Sequence, residues 1–428
     1  MPKTHRTSLA TPLLLCAVVL SALIQGWTAS GQPSGGPLPS SPVPTTWPQT
    51  SLIEGKSPGD ELNILDAKGM PQPDPLQHLY DVLHNDHNLQ IDPNFGWIAG
   101  SVVVIIQPQG QDLDRFVLDF VDEMNASAVN VTHPYPGTAT FTHATDRVTA
   151  LLPKPIAPWQ IGRVEVQFWG KPEPGGLFGY QVDVTDAGRP IVATVSEPWS
   201  ARSWWPCKDD PRDKATVSTH ITVPEGLTAV SNGIFSGLED RTHSWVEPLP
   251  ISTYLVSLAV SEYTELHSKY SGSAGQIDLN HFVFPEMAEE AEADFAILPE
   301  MLDFCGDLFG PYPFPGQPYG MAMCQWDQAM EHPTAVTWGH VLVTGDGQFE
   351  TVLMHELAHM WFGDLISPED WTHTWLNEGF ATYVEALWAE HRWGRAGLVS
   401  FMNNHDWGHG YPTDSLIRNP SSSWPPYY

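Results

Sequence analysis

The chain of 428 residues is long enough for roughly two or three domains. It contains 50 Asp and Glu against 19 Lys and Arg, and the resulting net charge of −31 repels nucleic acid, so no nucleic-acid partner is expected. Four cysteines are too few for a disulfide-rich fold. Cys16 lies near the N-terminus, so at most one bridge is expected among Cys207, Cys305 and Cys324, and three buried thiols fit the sequence equally well.

Residues 1–30 have the composition of a secretory signal peptide. Lys3 and Arg6 precede an uncharged run over residues 9–29, which ends in small residues suited to cleavage. The sequence thus predicts export to the periplasm or the extracellular space, with no stable membrane insertion after cleavage. An uncleaved membrane anchor through the same run is the alternative, because the run reaches the lower limit of membrane-spanning length. Residues 31–70 are rich in Pro, Gly and Ser and are predicted to be a linker.

Short runs of β-type sequence fill residues 71–260. Alternating or apolar stretches bounded by Pro and Gly predict strands at 101–106, 163–169, 216–223 and 252–260. Their period of two and their β-branched content are typical of antiparallel sheet. We therefore expect an N-terminal antiparallel β-domain.

Helical patterns are prominent in residues 261–428, which are predicted to form a second domain. The stretch 287–310 is predicted to be helical, with a break or kink at Pro299. Apolar residues at spacings of three and four predict further helices over 349–361 and 376–388. The predicted fold class is therefore α+β.

Two histidines one helical turn apart provide a candidate metal site. On the predicted helix, His355 and His359 share one face, with Cβ atoms about 5–6 Å apart. Glu378 on the following helix is the candidate third ligand. Three protein ligands leave the fourth position of a zinc ion to water, which is typical of a catalytic site.

Glu356 is the candidate catalytic base at this site. Zinc lowers the pKa of a bound water to about 7, and Glu356, one residue off the ligand face, can take the proton. The alternative is a chance histidine pair on the solvated face of a helix. Because the helix, the pair, the base and the third ligand agree, we predict one zinc ion per chain.

Four segments carry a resemblance to a known family. HELAH at 355–359, followed by 18 residues and then Glu in the context NEGFA, resembles the signature of the gluzincin zinc aminopeptidases, which include aminopeptidase N and leukotriene hydrolase. QAMEH at 328–332 is similar to their GAMEN motif, and 197–215 resembles the segment that ends in FPCxDEPxxKA. Residues 79–92 resemble the family's opening strand. The resemblance implies a saddle-like β N-terminal domain and a thermolysin-like α/β catalytic domain.

The same resemblance implies how a substrate binds. In the family, the Glu of GAMEN and an acid before the ARxxFPC segment bind the substrate's α-amine, and they match Glu331 and Glu197. Gln328, Ala329 and Met330 belong to the same motif, whose backbone pairs with the substrate like an added strand. Gln328 replaces the family's Gly. The function implied is a zinc aminopeptidase acting on peptides with a free N-terminus.

The C-terminal end departs from the family pattern. The family's oxyanion-stabilising tyrosine lies several dozen residues beyond the third ligand, and Tyr411, Tyr427 and Tyr428 lack its context. The catalytic domain over 261–428 is therefore expected to be incomplete, and the chain alone to have low activity. Two alternatives remain. A gluzincin endopeptidase is disfavoured by the paired acids. A non-catalytic peptide-binding module is disfavoured by the metal site with Glu356 but favoured by the lack of an assignable oxyanion tyrosine.

Overall fold

The computed structural model describes residues 73–172 and 179–405. The predicted signal peptide and linker, residues 1–70, and the three C-terminal tyrosines lie outside the described residues. Within the described ranges, no helix combines the length and the apolar character needed to cross a membrane.

An eight-stranded sheet forms the body of the N-terminal part. From one edge to the other, its strands are β13 (Ile234–Glu239), β14 (Thr242–Ile251), β11 (Ala215–Thr222), β1 (Tyr80–Asp92), β2 (Trp97–Pro108), β8 (Gly162–Gly170), β4 (Asn125–His133) and β5 (Gly137–Thr138). All neighbours run antiparallel except β1 and β11, which are parallel. The strands predicted at 163–169 and 216–223 are confirmed to within one residue at the ends, and the strand predicted at 101–106 is confirmed within the longer β2, which begins four residues earlier and ends two residues later.

Two smaller sheets complete this part. A four-stranded sheet has the order β12 (Thr228–Ser231), β15 (Leu258–Ser261), β10 (Pro190–Val195) and β9 (Gly179–Val184), and a three-stranded sheet has the order β3 (Leu113–Asp119), β7 (Arg147–Ile156) and β6 (Thr140–His143).

The strand predicted at 252–260 is wrong in its first half, because Thr253–Leu255 forms a 3-10 helix. Side chains bind the backbone of this segment where a neighbouring strand would otherwise do so.

A mixed five-stranded sheet follows, and most of it was not predicted from the sequence. Its order is β16 (Thr264–Gly272), β17 (Gly275–Val283), β18 (Met321–Cys324), β20 (Val336–Gly339) and β19 (Ala329–Met330). The pairs formed by β18 with β17 and with β20 are parallel, and the other two pairs are antiparallel. β19, with two residues, lies at the edge of the sheet.

The described residues form four α-helices: α1 (Ala288–Phe295), α2 (Leu298–Phe309), α3 (Glu350–His359) and α4 (Trp375–His405). α1 and α2 lie beside β16, α3 lies beside β19, and α4 packs on α3. The predicted break within 287–310 is confirmed, but Pro299 lies in the first turn of α2, where its missing N–H costs no helical hydrogen bond. Gly394 has a non-helical φ of 65° and divides α4 into two runs. The 3-10 helices are Pro75–Leu79, Ala201–Ser203, Thr253–Leu255, Pro285–Met287, His340–Leu342 and Trp371–His373.

One continuous apolar core joins the N-terminal sheets to the helical part. It includes Val195 and Tyr254 from the first and Leu353 from the second. The domain boundary at residue 260 stays a prediction. The three cysteines of the described residues are buried free thiols, which confirms the thiol alternative.

Candidate metal centre

The helix α3, which carries the HELAH motif, is buried along almost its whole length. Residues 351–359 are all inaccessible to solvent. The loop before the helix is fixed by the Asp294 carboxylate, which accepts the backbone N–H groups of Thr344 at 2.7 Å, Gly345 at 3.0 Å and Gly347 at 2.8 Å. The start of the helix, and with it the position of both histidines, therefore has a fixed anchor outside the helix itself.

The three predicted ligands converge at one point. His355 Nε2 and His359 Nε2 are 2.9 Å apart. Glu378 Oε2, from the first turn of α4, lies 3.3 Å from the His355 nitrogen and 3.4 Å from the His359 nitrogen. All three side chains are buried, so water does not screen the contacts among them.

The second ring nitrogen of each histidine shows where its proton lies. His355 Nδ1 is 2.8 Å from Glu385 Oε1, and His359 Nδ1 is 2.9 Å from the carbonyl oxygen of Phe362. Both partners accept hydrogen bonds, so each Nδ1 carries a proton and a neutral ring presents a lone pair at Nε2. Two such lone pairs at 2.9 Å repel each other unless a proton or a metal ion lies between them. The residues present therefore fit a divalent metal ion.

The ionisable groups favour a positive charge at the same point. Burial lowers the pKa of His359, but Glu378 and Glu331 outweigh burial and raise it to about 9. Burial raises the pKa of Glu378, but His359 and His355 hold it below its usual range. The pocket thus stabilises a proton or a metal ion next to an ionised Glu378.

Glu356 lies on α3 between the two histidines and is buried. Burial raises the pKa of its carboxyl group to about 8, while His355 and His359 oppose the increase. A divalent cation among the ligands would lower this pKa, because a nearby positive charge favours the carboxylate.

Sequence reasoning missed Glu385, the fully buried partner of His355. A signal for it was present, because Glu385 lies seven residues after Glu378 and two helical turns place both side chains on one face of α4. Its carboxylate orients the imidazole and makes the opposite nitrogen a stronger metal ligand.

Two further carboxylates adjoin the ligands. Glu197 follows β10 and Glu331 follows β19, and oxygens of Glu197, Glu331 and Glu378 lie within 4.8 Å of one another. Burial, and secondarily Glu331, raise the pKa of Glu197 well above its usual range. Burial also raises the pKa of Glu331, with Glu378 adding to the shift and His359 opposing it. Glu197 and Glu331 each retain one buried oxygen with no hydrogen-bond partner among the described residues.

The predicted substrate strand is an edge strand. Ala329 and Met330 form β19, which pairs with β20 on one side and with no other strand of the described residues. The carbonyl of Gln328 accepts the N–H of Gly339 at 2.7 Å, and the Gln328 side chain is buried. The structure therefore brings this motif to the sheet edge that ends at Glu331.

Tyr254 also reaches the site, and it was missed because its segment was predicted to be a strand. Asn377, next to the predicted ligand Glu378, donates a hydrogen bond from Nδ2 to the Tyr254 hydroxyl at 3.2 Å. The Tyr254 ring packs edge-on against Trp371 at 4.8 Å.

Comparison with known proteins identifies the family. Residues 82–255 match the peptidase M1 N-terminal domain, and residues 294–416 match the peptidase family M1 domain. This chain belongs to the M1 peptidase family. The predicted resemblance and the α+β fold class are thereby confirmed.

Several curated relatives of this M1 peptidase are named aminopeptidases. Glutamyl aminopeptidase of Rattus norvegicus is 32% identical over 250 residues, which cover 54% of this chain and 26% of that protein. Aminopeptidase N of Streptomyces lividans is 35% identical over 223 residues, which cover 49% of this chain and 26% of that protein. The chain thus spans about a quarter of the length of each of these relatives.

Solved M1 structures share the fold. A variant of the M1 zinc metallopeptidase from Deinococcus radiodurans, bound to a Tyr-Ser-Ala substrate, has a TM-score of 0.68 and 28% identity, covering 82% of this chain and 80% of that chain. Leukotriene A4 hydrolase of Saccharomyces cerevisiae has a TM-score of 0.63 at 22% identity, covering 74% and 50%, and this likeness shows the fold alone. The family and its zinc structures identify zinc as the cofactor, as predicted, and the described residues include a group that fits it.

Replacing Glu385 by Gln should weaken zinc binding about 10–100-fold, because His355 would lose the charged acceptor that orients it. Competition with a chromophoric chelator would measure the change. Glu390→Gln is the matched control on the same helix, since Glu390 pairs with Arg395 at 3.5 Å, and it should bind zinc like the parent. Equal zinc affinity in the Glu385→Gln variant and the parent would contradict the assigned role.

Proposed function

We propose that this M1 peptidase is a zinc aminopeptidase that removes N-terminal residues from peptides. The observation that carries the proposal is the position of Glu197 and Glu331, which have oxygens within 4.8 Å of the ligand Glu378 and of each other. The proposed zinc site, where the peptide bond would be cleaved, and the two acids that would bind the substrate's amine are then about the length of one residue apart.

The proposed zinc ligands are His355, His359 and Glu378. When bound, zinc polarises water and the scissile carbonyl, and so supplies a nucleophile at neutral pH. Glu356 takes a proton from the attacking water and later returns it to the leaving amine. Its complete burial supports this role, because a carboxylate shielded from bulk water keeps the proton within the site until the leaving group accepts it.

The ammonium group at the substrate's N-terminus binds to Glu197 and Glu331. Both acids have raised pKa values because negative charges are unfavourable in this buried pocket, and a cation relieves that cost. Charge-assisted hydrogen bonds then fix the chain end, so that the first peptide bond lies at the metal.

An endopeptidase is disfavoured by the same pair of acids. An internal stretch of polypeptide has no ammonium group, and it would place neutral backbone against two buried carboxylates with unpaired oxygens. A purely peptide-binding module would have no use for Glu356, a buried acid beside the metal ligands.

The sheet edge at Ala329 and Met330 supports binding of an extended peptide, because an edge strand offers backbone groups to an added strand. Gln328 lies at the start of this edge. The Tyr-Ser-Ala complex of the Deinococcus radiodurans protein supports peptides with a free N-terminus as the substrate class.

Replacing Glu356 by Gln should leave one zinc per chain but lower kcat about 10²–10⁴-fold, because the amide cannot accept the proton. Elemental analysis and hydrolysis of an aminoacyl anilide would measure both quantities. Glu369→Gln, which changes an exposed acid in the loop between α3 and α4, is the control and should retain turnover. Unchanged kcat in the Glu356→Gln variant would rule out Glu356 as the base.

Replacing Glu331 by Ala should reduce the preference for a free α-amine about tenfold or more, because one of the two amine-binding charges is lost. Rates on an aminoacyl amide and on its N-acetyl derivative give the preference. Asp327→Ala removes an exposed acid four positions earlier and should leave the preference unchanged. If the wild type cleaves both substrates equally, the endopeptidase alternative is correct.

We also infer that the protein is exported and is cleaved after the apolar run 9–29. Lys3 and Arg6 before that run support the inference. We expect the mature chain to begin near residue 30 and to be found outside the cytoplasm, as measured by fractionation and N-terminal mass spectrometry. Recovery of the run in the membrane fraction would support the anchor, and an intact N-terminus in the cytoplasm would contradict export.

A further inference from the structure

The turn after Glu331 has a conformation that its sequence disfavours. Thr334 has a φ of 68°, in the left-handed region that a β-branched residue rarely adopts. Two hydrogen bonds from the N-terminal part of the chain hold the turn. The N–H of Gly233 donates to Thr334 Oγ1 at 2.6 Å, and Asn232 Nδ2 donates to the carbonyl oxygen of Pro333 at 3.1 Å.

Asn232 is buried, with 2% of its surface exposed, and both the nitrogen and the oxygen of its side-chain amide have hydrogen-bond partners. Besides Pro333, Nδ2 donates to the carbonyl oxygen of Leu255 at 3.0 Å, and Oδ1 accepts the N–H of Ser257 at 2.8 Å. Two partners can only accept and one can only donate, so the orientation of the amide is fixed. One side chain therefore joins three separate segments of the chain.

The second of these segments leads to the metal ligands. Leu255 ends the 3-10 helix Thr253–Leu255, and the hydroxyl of Tyr254 in that helix accepts the hydrogen bond from Asn377, next to Glu378. Asn232 thus connects through Pro333 to Glu331 on one side, and through Tyr254 to Glu378 on the other.

We propose that Asn232 is a positioning residue, which fixes Glu331 relative to Glu378. The inference rests on the proposed aminopeptidase function. An ammonium group binds well only if its carboxylate partners lie within hydrogen-bond distance of it. A shift of about 1 Å in the position of Glu331 therefore weakens binding of the ammonium group. Without the Asn232 amide, the carbonyl of Leu255 loses its side-chain donor and the carbonyl of Pro333 keeps only the Thr334 hydroxyl, so the turn at Thr334 relaxes and carries Glu331 away from Glu378.

Titration calorimetry on the zinc-loaded protein tests the inference. The probes are phenylalaninol and N-acetylphenylalaninol, which have no amide bond at the scissile position and are not hydrolysed, and the ratio of their Kd values is the amine selectivity. Asn232→Ala should lower the selectivity about tenfold or more and keep one zinc per chain. Thr334→Val removes the hydroxyl that accepts the N–H of Gly233 and donates to the carbonyl oxygen of Pro333, and it should lower the selectivity about threefold. If Asn232→Ala does not fold, the selectivity of Thr334→Val tests the inference.

Ser231→Ala is the matched control. Ser231 is equally buried and donates from Oγ to the carbonyl oxygen of Ser257 at 2.7 Å, so it holds the segment of Tyr254 but not the turn after Glu331. Its selectivity should equal that of the wild type. Wild-type selectivity with a lowered Tm in Asn232→Ala or Thr334→Val would show a purely structural role and overturn the inference. A wild type without amine selectivity would overturn the proposed function itself.

Discussion

The repulsion among two imidazole nitrogens and a carboxylate oxygen, 2.9 to 3.4 Å apart and shielded from water, is the constraint on which the rest of the structure depends. A cation removes this repulsion, so metal binding and correct folding of the site favour each other. Glu385 and the Phe362 carbonyl keep the protons on the far side of each ring, and Asp294 fixes the loop from which α3 starts. None of these groups touches the reaction, but each one keeps the lone pairs directed at the same point.

The same electrostatic principle applies one step further from the metal. Glu197 and Glu331 each have one buried oxygen without a hydrogen-bond partner among the described residues, in a place where water cannot compensate their charge. A positive group that enters the pocket would relieve this unfavourable burial, and under the proposed function that is why an ammonium group would bind better than a neutral chain segment. The fold can hold such a pocket because the continuous apolar core extends around it on the N-terminal and helical sides.

The sequence alone predicted those elements that a local or periodic pattern of residues specifies. Spacing of three and four residues located α3, and the pairing of His355 with His359 follows from helix geometry alone. Strand periodicity located β2, β8 and β11. The five-stranded sheet was mostly missed because several of its strands have two to four residues, too few to show a period. Tyr254 was missed because Asn232, a side chain distant in sequence, bonds the backbone of its segment. Such contacts are determined by tertiary packing, and no local sequence pattern predicts them.

The parallel pairing of β1 with β11 has a consequence for the order in which the chain folds. His84 pairs with Thr216, so one side of a central strand has no neighbour until 132 further residues have been made. Synthesis proceeds at about 5–20 residues per second, so that edge of β1 stays unpaired for roughly 7 to 26 seconds while the chain is made. In refolding, the same edge stays unpaired until β11 reaches it. An open strand edge of this kind can pair with other strands. The late synthesis of β11 therefore leaves β1 open to mispairing while the chain is being made, and this non-local pairing makes folding slower than local pairing would.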